Sequence, residues 1–126
     1  MRAIVTLMAI GLCTATVAST AVHAADEPVA FILRAYVNPG QEAVFEERNL
    51  KLVEFVRKAE PDVIVRLHRS ITNPSQYVVY EVFPSRAALY RHWRITFPAF
   101  DKEVGPQPEG MLARAPDYEE LVLLGR

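Results

Sequence analysis

Beyond the first 24 residues the chain has two histidines, His68 and His92, and histidine is the side chain best placed for acid–base work near neutral pH. His92 stands between Leu89 and Trp93 on the inward stripe of a predicted helix, where a solvated residue is unexpected. Burial beside apolar groups keeps an imidazole neutral and ready to take a proton. A core histidine bonded to a backbone carbonyl satisfies the same position, so both readings stand at this point. Glu81 lies mid-strand, where an unpartnered carboxylate is costly. Its expected partner is Arg69 across a hairpin, with His92 or a substrate hydroxyl as the alternatives. Trp93, Phe97 and Phe100 supply core, and equally the aromatic walls a flat organic ligand needs. His68 and Tyr80 form a cross-strand pair suited to an interface.

Other chemistries fail on inventory. The two histidines sit on different elements with no HxH or HxxxH spacing, so no zinc site is expected. The sequence has no GxGxxG, no Walker loop and no GxSxG elbow.

The elements that must position these residues follow from periodicity and punctuation. Val29 to Val37 is a run of branched and aromatic residues closed by Asn38-Pro39-Gly40, a strand and its turn. Phe45, Asn49, Leu52, Val53 and Val56 then recur at helical spacing, and Pro61 ends that helix near Glu60. Val63 to Ile71 and Tyr77 to Phe83 read as two strands of an antiparallel hairpin. Ser85 is the N-cap of a second helix, Arg86 to about Ile95, with Ala88, Leu89, His92 and Trp93 inward and Pro98 interrupting it. Gly105 to Pro116 is loop, and Tyr118 to Leu124 is the last strand. The order βαββαβ predicts an α+β, ferredoxin-like fold: a four-stranded antiparallel sheet with two helices on one face.

Pairing Ile71 with Tyr77 sets Leu67 opposite Glu81 and His68 opposite Tyr80. One face of the hairpin then carries Val63, Val65, Leu67, Val79 and Phe83, with Arg69 and Glu81 as its polar members. The other carries Arg66, His68, Ser70, Val78, Tyr80 and Val82, half apolar and half polar. In the first strand Phe31, Leu33, Ala35 and Val37 form the set fit to lie under helices. The mixed face suits packing on a twin sheet, so a homodimer is expected.

Length and composition bound the rest. The chain has 126 residues, 51% hydrophobic and 23% charged, with a net charge of −1, which suits a single globular domain. Arg2, an uncharged stretch from Ala3 to Ala18 and the closing Val22-His23-Ala24 match a cleaved secretory signal over residues 1–24. Thr14, Thr16, Ser19 and Thr20, without a basic stop-transfer flank, disfavour the rival reading of a membrane anchor. The expected location is periplasmic or secreted, with no stable membrane anchor after cleavage. The remaining 102 residues (25–126) form one domain with 13 Lys+Arg, 15 Asp+Glu and no cysteine. No disulfide or cysteine metal site is then expected, stability rests on packing, and a partner subunit would help a domain of this size. The near-neutral charge without a basic run argues against nucleic acid.

The stretches YVNPGQEAVFEE, KAEPDVIVRLHRSITNPSQYVVYEVFPSRAALYRHW and TFPAFDKEV resemble the antibiotic biosynthesis monooxygenase (ABM) domain over roughly residues 29–104. Its most specific part is YVVYEVFPSRAALYRH, with Glu81, Phe83, Ser85, Ala88 and His92 at the positions the family pattern leads one to expect. The resemblance implies a dimeric α+β barrel and oxidation of a small aromatic, phenolic or quinol substrate by dioxygen without a dedicated cofactor. It implies His92 as base or orienting group, and a substrate pocket drawing on Glu81, Phe83, Trp93 and Phe97. Haem-degrading relatives use a histidine on the second helix, which His92 matches, whereas their strand-three tryptophan is Phe83 here. A second histidine, frequent about five residues later in quinol oxidisers, is absent: HWRITFPAF has Phe97. A non-catalytic periplasmic ligand-binding or stress protein of the same fold is the alternative function.

Overall fold

The computed structural model describes residues 27–124, so the expected signal segment and its cleavage site lie outside the described residues. Four strands, β1 (Val29–Tyr36), β2 (Ile64–Arg69), β3 (Gln76–Phe83) and β4 (Asp117–Val122), form one antiparallel sheet in the order β2-β3-β1-β4. Helix α1 (Glu42–Ala59) joins β1 to β2. After β3 come α2 (Arg86–Arg91), a π-turn (His92–Thr96) and α3 (Phe97–Val104) as one continuous run. The predicted ferredoxin-like plan is present, with all helices on one face.

Local chemistry sets the boundaries. Gly40 adopts a positive φ of 89°, which only glycine takes without strain, and its N–H donates to Glu42 at the start of α1. At the other end Glu60 donates its N–H to Val56 and accepts from Val63 N–H. Pro61, which has no N–H to continue the ladder, follows directly. Ser85 is in extended backbone and its Oγ accepts from Ala88 N–H, the expected N-cap.

Pro98 does not interrupt the second helix. Its missing N–H and its ring would oppose the carbonyl one α-turn back, and the chain widens instead: Phe97 N–H donates to His92 O, five residues earlier. That π-turn brings residue i+5 onto the face of residue i. His92 and Phe97 therefore share the inner face, their rings 6.4 Å apart.

The hairpin register differs from the expected one by two residues. Arg69 pairs with Tyr77, Leu67 with Val79 and Val65 with Glu81. The turn is longer than anticipated because Ser70, Thr72 and Asn73 bond one another, and Gln76 N–H donates to Asn73 O. An even offset leaves every side chain on its assigned face, since strand side chains alternate with period two. Val65, Val79 and Phe83 are buried with Val29 and Phe31, under Leu52, Val53 and Val56 of α1 and Leu89 and Phe100 of the second helical run. A second cluster of Ala35, Val37, Phe45, Tyr77 and Met111 closes the far end, where the loop after α3 returns through a Val37–Leu112 bridge.

Candidate functional site

Three elements bring three ionisable side chains together at the β2 end of the covered face. Glu60 comes from the C-terminal boundary of α1, Glu81 from the middle of β3 and His92 from the first residue of the π-turn. His92 is 1% exposed, packed edge-on against Phe83 and Trp93. Its Nδ1 lies 2.6 Å from Glu60 Oε2, and its Nε2 lies 3.7 Å from Glu81 Oε1. The first is a short charge-assisted hydrogen bond. The second is too long for one, so Nε2 and Glu81 Oε1 stand side by side, close enough for one hydroxyl beside them to reach both.

The two contacts divide the work of the imidazole. An ionised carboxylate only accepts hydrogen bonds, so an ionised Glu60 would hold a proton on Nδ1, and a neutral imidazole would then carry its lone pair on Nε2. Glu81 has a different environment. Burial chiefly pushes its carboxyl up to about 7, opposed by the charge His92 carries when protonated and aided, less strongly, by the Glu60 charge. The pair thus offers a proton acceptor at Nε2 and, beside it, a carboxyl that changes state near neutral pH. Glu60 Oε1 is sealed from solvent without a hydrogen-bond partner among the described residues.

His92 and Glu81 both line a cavity of about 280 Å³ between the sheet and the helices. Phe31, Leu52, Val79, Trp93, Phe97 and Tyr118 form its apolar wall. Phe31 and Trp93 meet edge-to-face at 5.2 Å, and Trp93 stands 5.2 Å from Phe97. Farther along α1, Arg48 and Asn49 line the same space, with Asp101 of α3 opposite.

Among the residues singled out from sequence, His92, Glu81, Trp93 and Phe97 therefore share one cavity. Phe83 does not line it. Alternation along β3 points Phe83 inward like Glu81, but two residues nearer α2, where it is fully buried behind the His92 ring. The expected Glu81–Arg69 pair does not form either. The two-residue register offset places Val65 opposite Glu81, and Arg69 instead binds Glu46 at 2.8 Å on the solvent side. His68 is exposed on the open face opposite Val78, away from the cavity. Phe100 is core and touches the site only through Phe97.

Sequence reasoning missed Glu60, read only as the helix end, because its contact with His92 spans 32 positions. It also missed Arg48 and Asn49 as cavity residues. Their signal was available: Phe45, Arg48, Asn49 and Leu52 fall at i, i+3, i+4 and i+7, one face of a helix.

Haem does not suit this arrangement. The cavity is at the lower limit for ordinary small organic ligands, too small for a porphyrin. Among the described residues no group of three or more His, Cys, Asp or Glu side chains is arranged to hold a metal ion.

Comparison with known proteins agrees with this architecture. A protein of Caulobacter crescentus, described as a candidate antibiotic biosynthesis monooxygenase, superposes with a TM-score of 0.67 at 29% identity, over 80% of this chain and 93% of its own. Rv0793 of Mycobacterium tuberculosis superposes at 0.62 with 22% identity, over 79% and 97%. A Bordetella bronchiseptica protein of the same description as the first superposes at 0.57 with 22% identity, over 78% and 98%; the last two likenesses speak to fold alone. No curated protein matches the chain. The family model for antibiotic biosynthesis monooxygenase matches residues 28–96, more than half of the sequence, and the chain belongs to that family.

Proposed function

We propose that the protein oxidises a small phenolic or quinol substrate with dioxygen, using His92 as the base. One observation carries this reading: His92 lines an aromatic-walled cavity beside Glu81 while Glu60 holds its Nδ1 at 2.6 Å. The substrate hydroxyl lies beside Nε2 and Glu81, within reach of both, and gives its proton to Nε2. The resulting phenolate is electron-rich enough to pass one electron to dioxygen, and the radical pair combines at a ring carbon that bears hydrogen. The imidazolium protonates the distal oxygen to a hydroperoxide, which loses water to leave a carbonyl. One oxygen atom ends in the product and the other in water. A positioned base of this kind contributes roughly 10²–10⁴ in rate.

The reading includes export, on the composition of residues 1–24, and a homodimer. Among the described residues β4 is exposed along its length, with Tyr118, Leu121 and Val122 open to solvent, and a second copy would bury them. Sedimentation of residues 25–126 at micromolar concentration is expected to give twice the monomer mass.

The test of the activity is oxygen uptake with a panel of hydroquinones and naphthols. Consumption above the uncatalysed background, lost in His92→Gln, supports the reading. Background rates throughout would remove it and leave a binding protein of the same fold.

A further inference from the structure

The cavity has a second polar end. Arg48 is 9% exposed, and a guanidinium that deep must be paired. It is only partly so. The single nitrogen Nη2 serves both contacts, Asp101 Oδ1 at 2.7 Å and Gly105 O at 2.8 Å, and Nε is buried without a partner among the described residues. The group has five N–H donors, more than this staple between α1 and α3 uses. Its Cζ sits 4.7 Å from the Phe100 ring centroid, so the plane is fixed on one side. Asn49 adjoins it on α1, its Nδ2 committed to Phe45 O at 2.9 Å, which leaves an amide oxygen as an acceptor.

The two ends are well separated. Arg48 precedes Glu60 by twelve residues of α1, a rise of about 18 Å. On the sheet, the rung of Phe31 and Glu81 marks the acid–base end, and Ala35, four residues on, is about 13 Å away. Phe31, Leu52, Val79, Trp93 and Phe97 line the cavity between them.

Resting on the function proposed above, we infer that the substrate is a two-ended aromatic: an ionisable hydroxyl at His92 and, across a fused ring system, an oxygen acceptor (carbonyl or carboxylate) bound by Arg48. Arg48 binds and orients the molecule; it takes no part in the proton transfer.

The experiment is titration calorimetry with three probes: 2-naphthol, 6-hydroxy-2-naphthoate with its carboxylate at the far end, and 3-hydroxy-2-naphthoate with its carboxylate beside the hydroxyl. The far-end acid is expected to bind at least about tenfold more tightly than 2-naphthol, and the adjacent acid no more tightly. In Arg48→Met, checked for folding by circular dichroism, the advantage disappears while 2-naphthol affinity holds within about twofold. The comparison of the two acids on the unaltered protein stands even where that variant fails to fold. If 2-naphthol binds and the far-end acid shows no advantage, the inference is overturned and the proposed function survives. If none of the three binds, the aromatic pocket itself is wrong and both fall.

Discussion

The two faces of the one sheet carry the same kinds of ionisable group with opposite consequences. On the covered face, Glu81 is pushed up to about 7 by burial. On the open face, Asp117 is pulled below its usual value by hydrogen bonds from Arg114 and Tyr36, with desolvation a minor opposing effect. Arg114 grips Asp117 with two nitrogens at 3.0 and 3.1 Å and stacks over Tyr36, while Arg34 reaches Glu119 at 3.1 Å. Water can solvate every member of that network. Inside, water is excluded, and the cost of charge shows on Glu81. The difference teaches that burial, not residue type, makes a titratable group chemically useful here.

The sharpest way to break the comparison is His92→Gln. It keeps size and one donor toward Glu60 but cannot take a proton. Turnover should fall by about 10²–10⁴ with the melting temperature nearly unchanged, read side by side by oxygen uptake and calorimetry. Undiminished activity would take His92 out of the mechanism, and a large melting loss would return it to the core.

Glu60→Gln should be nearly as damaging to rate. The amide can offer its oxygen or its nitrogen to Nδ1, so the proton is no longer confined there and the competent tautomer is diluted. Nitrogen-15 chemical shifts of the His92 ring should show Nδ1 protonated in the parent and a mixture in the variant, a signature that a merely structural contact would not produce.

Glu81 sharpens the comparison through pH. Its folded value of about 7 lies above the ordinary 4.5, so the native state binds more protons than the unfolded chain between those values. Stability therefore falls as pH rises through about 4.5–7, by on the order of 3 kcal/mol. Melting curves for Glu81→Gln should lose that slope and lie several degrees above the parent at pH 8. Parallel pH profiles for the two proteins would mean that Glu81 is not held neutral by its burial.

Asp117→Asn should have the smallest effect and the opposite pH sign. Because its folded value is depressed, Asp117 contributes stability above about pH 3.8 that is lost only as pH falls through the folded value. Near pH 7 the variant should turn over normally and melt within about 2 °C of the parent. A larger loss that grows on dilution would place this network under a second copy of the chain.

Local sequence was enough to set the element order, the faces of β1, β2 and β3, and the inward position of His92. Each depends on local punctuation or on short periods: Pro61 and Ser85 at helix ends, alternation in β3, the stripe Ala88, Leu89, His92. Even the mistaken hairpin register left the faces intact, because an offset of two preserves alternation. The tertiary structure alone decided which polar groups meet. Glu60 reaches His92 only because α1 ends over the π-turn, and the π-turn exists because the ring of Pro98 opposes an α-helical carbonyl. Arg69 leaves Glu81 for Glu46, and Arg48 enters the cavity because α3 brings Asp101 to it. Such contacts join residues dozens of positions apart, and their partners are chosen by side-chain geometry after the backbone has packed, where no local pattern can record them.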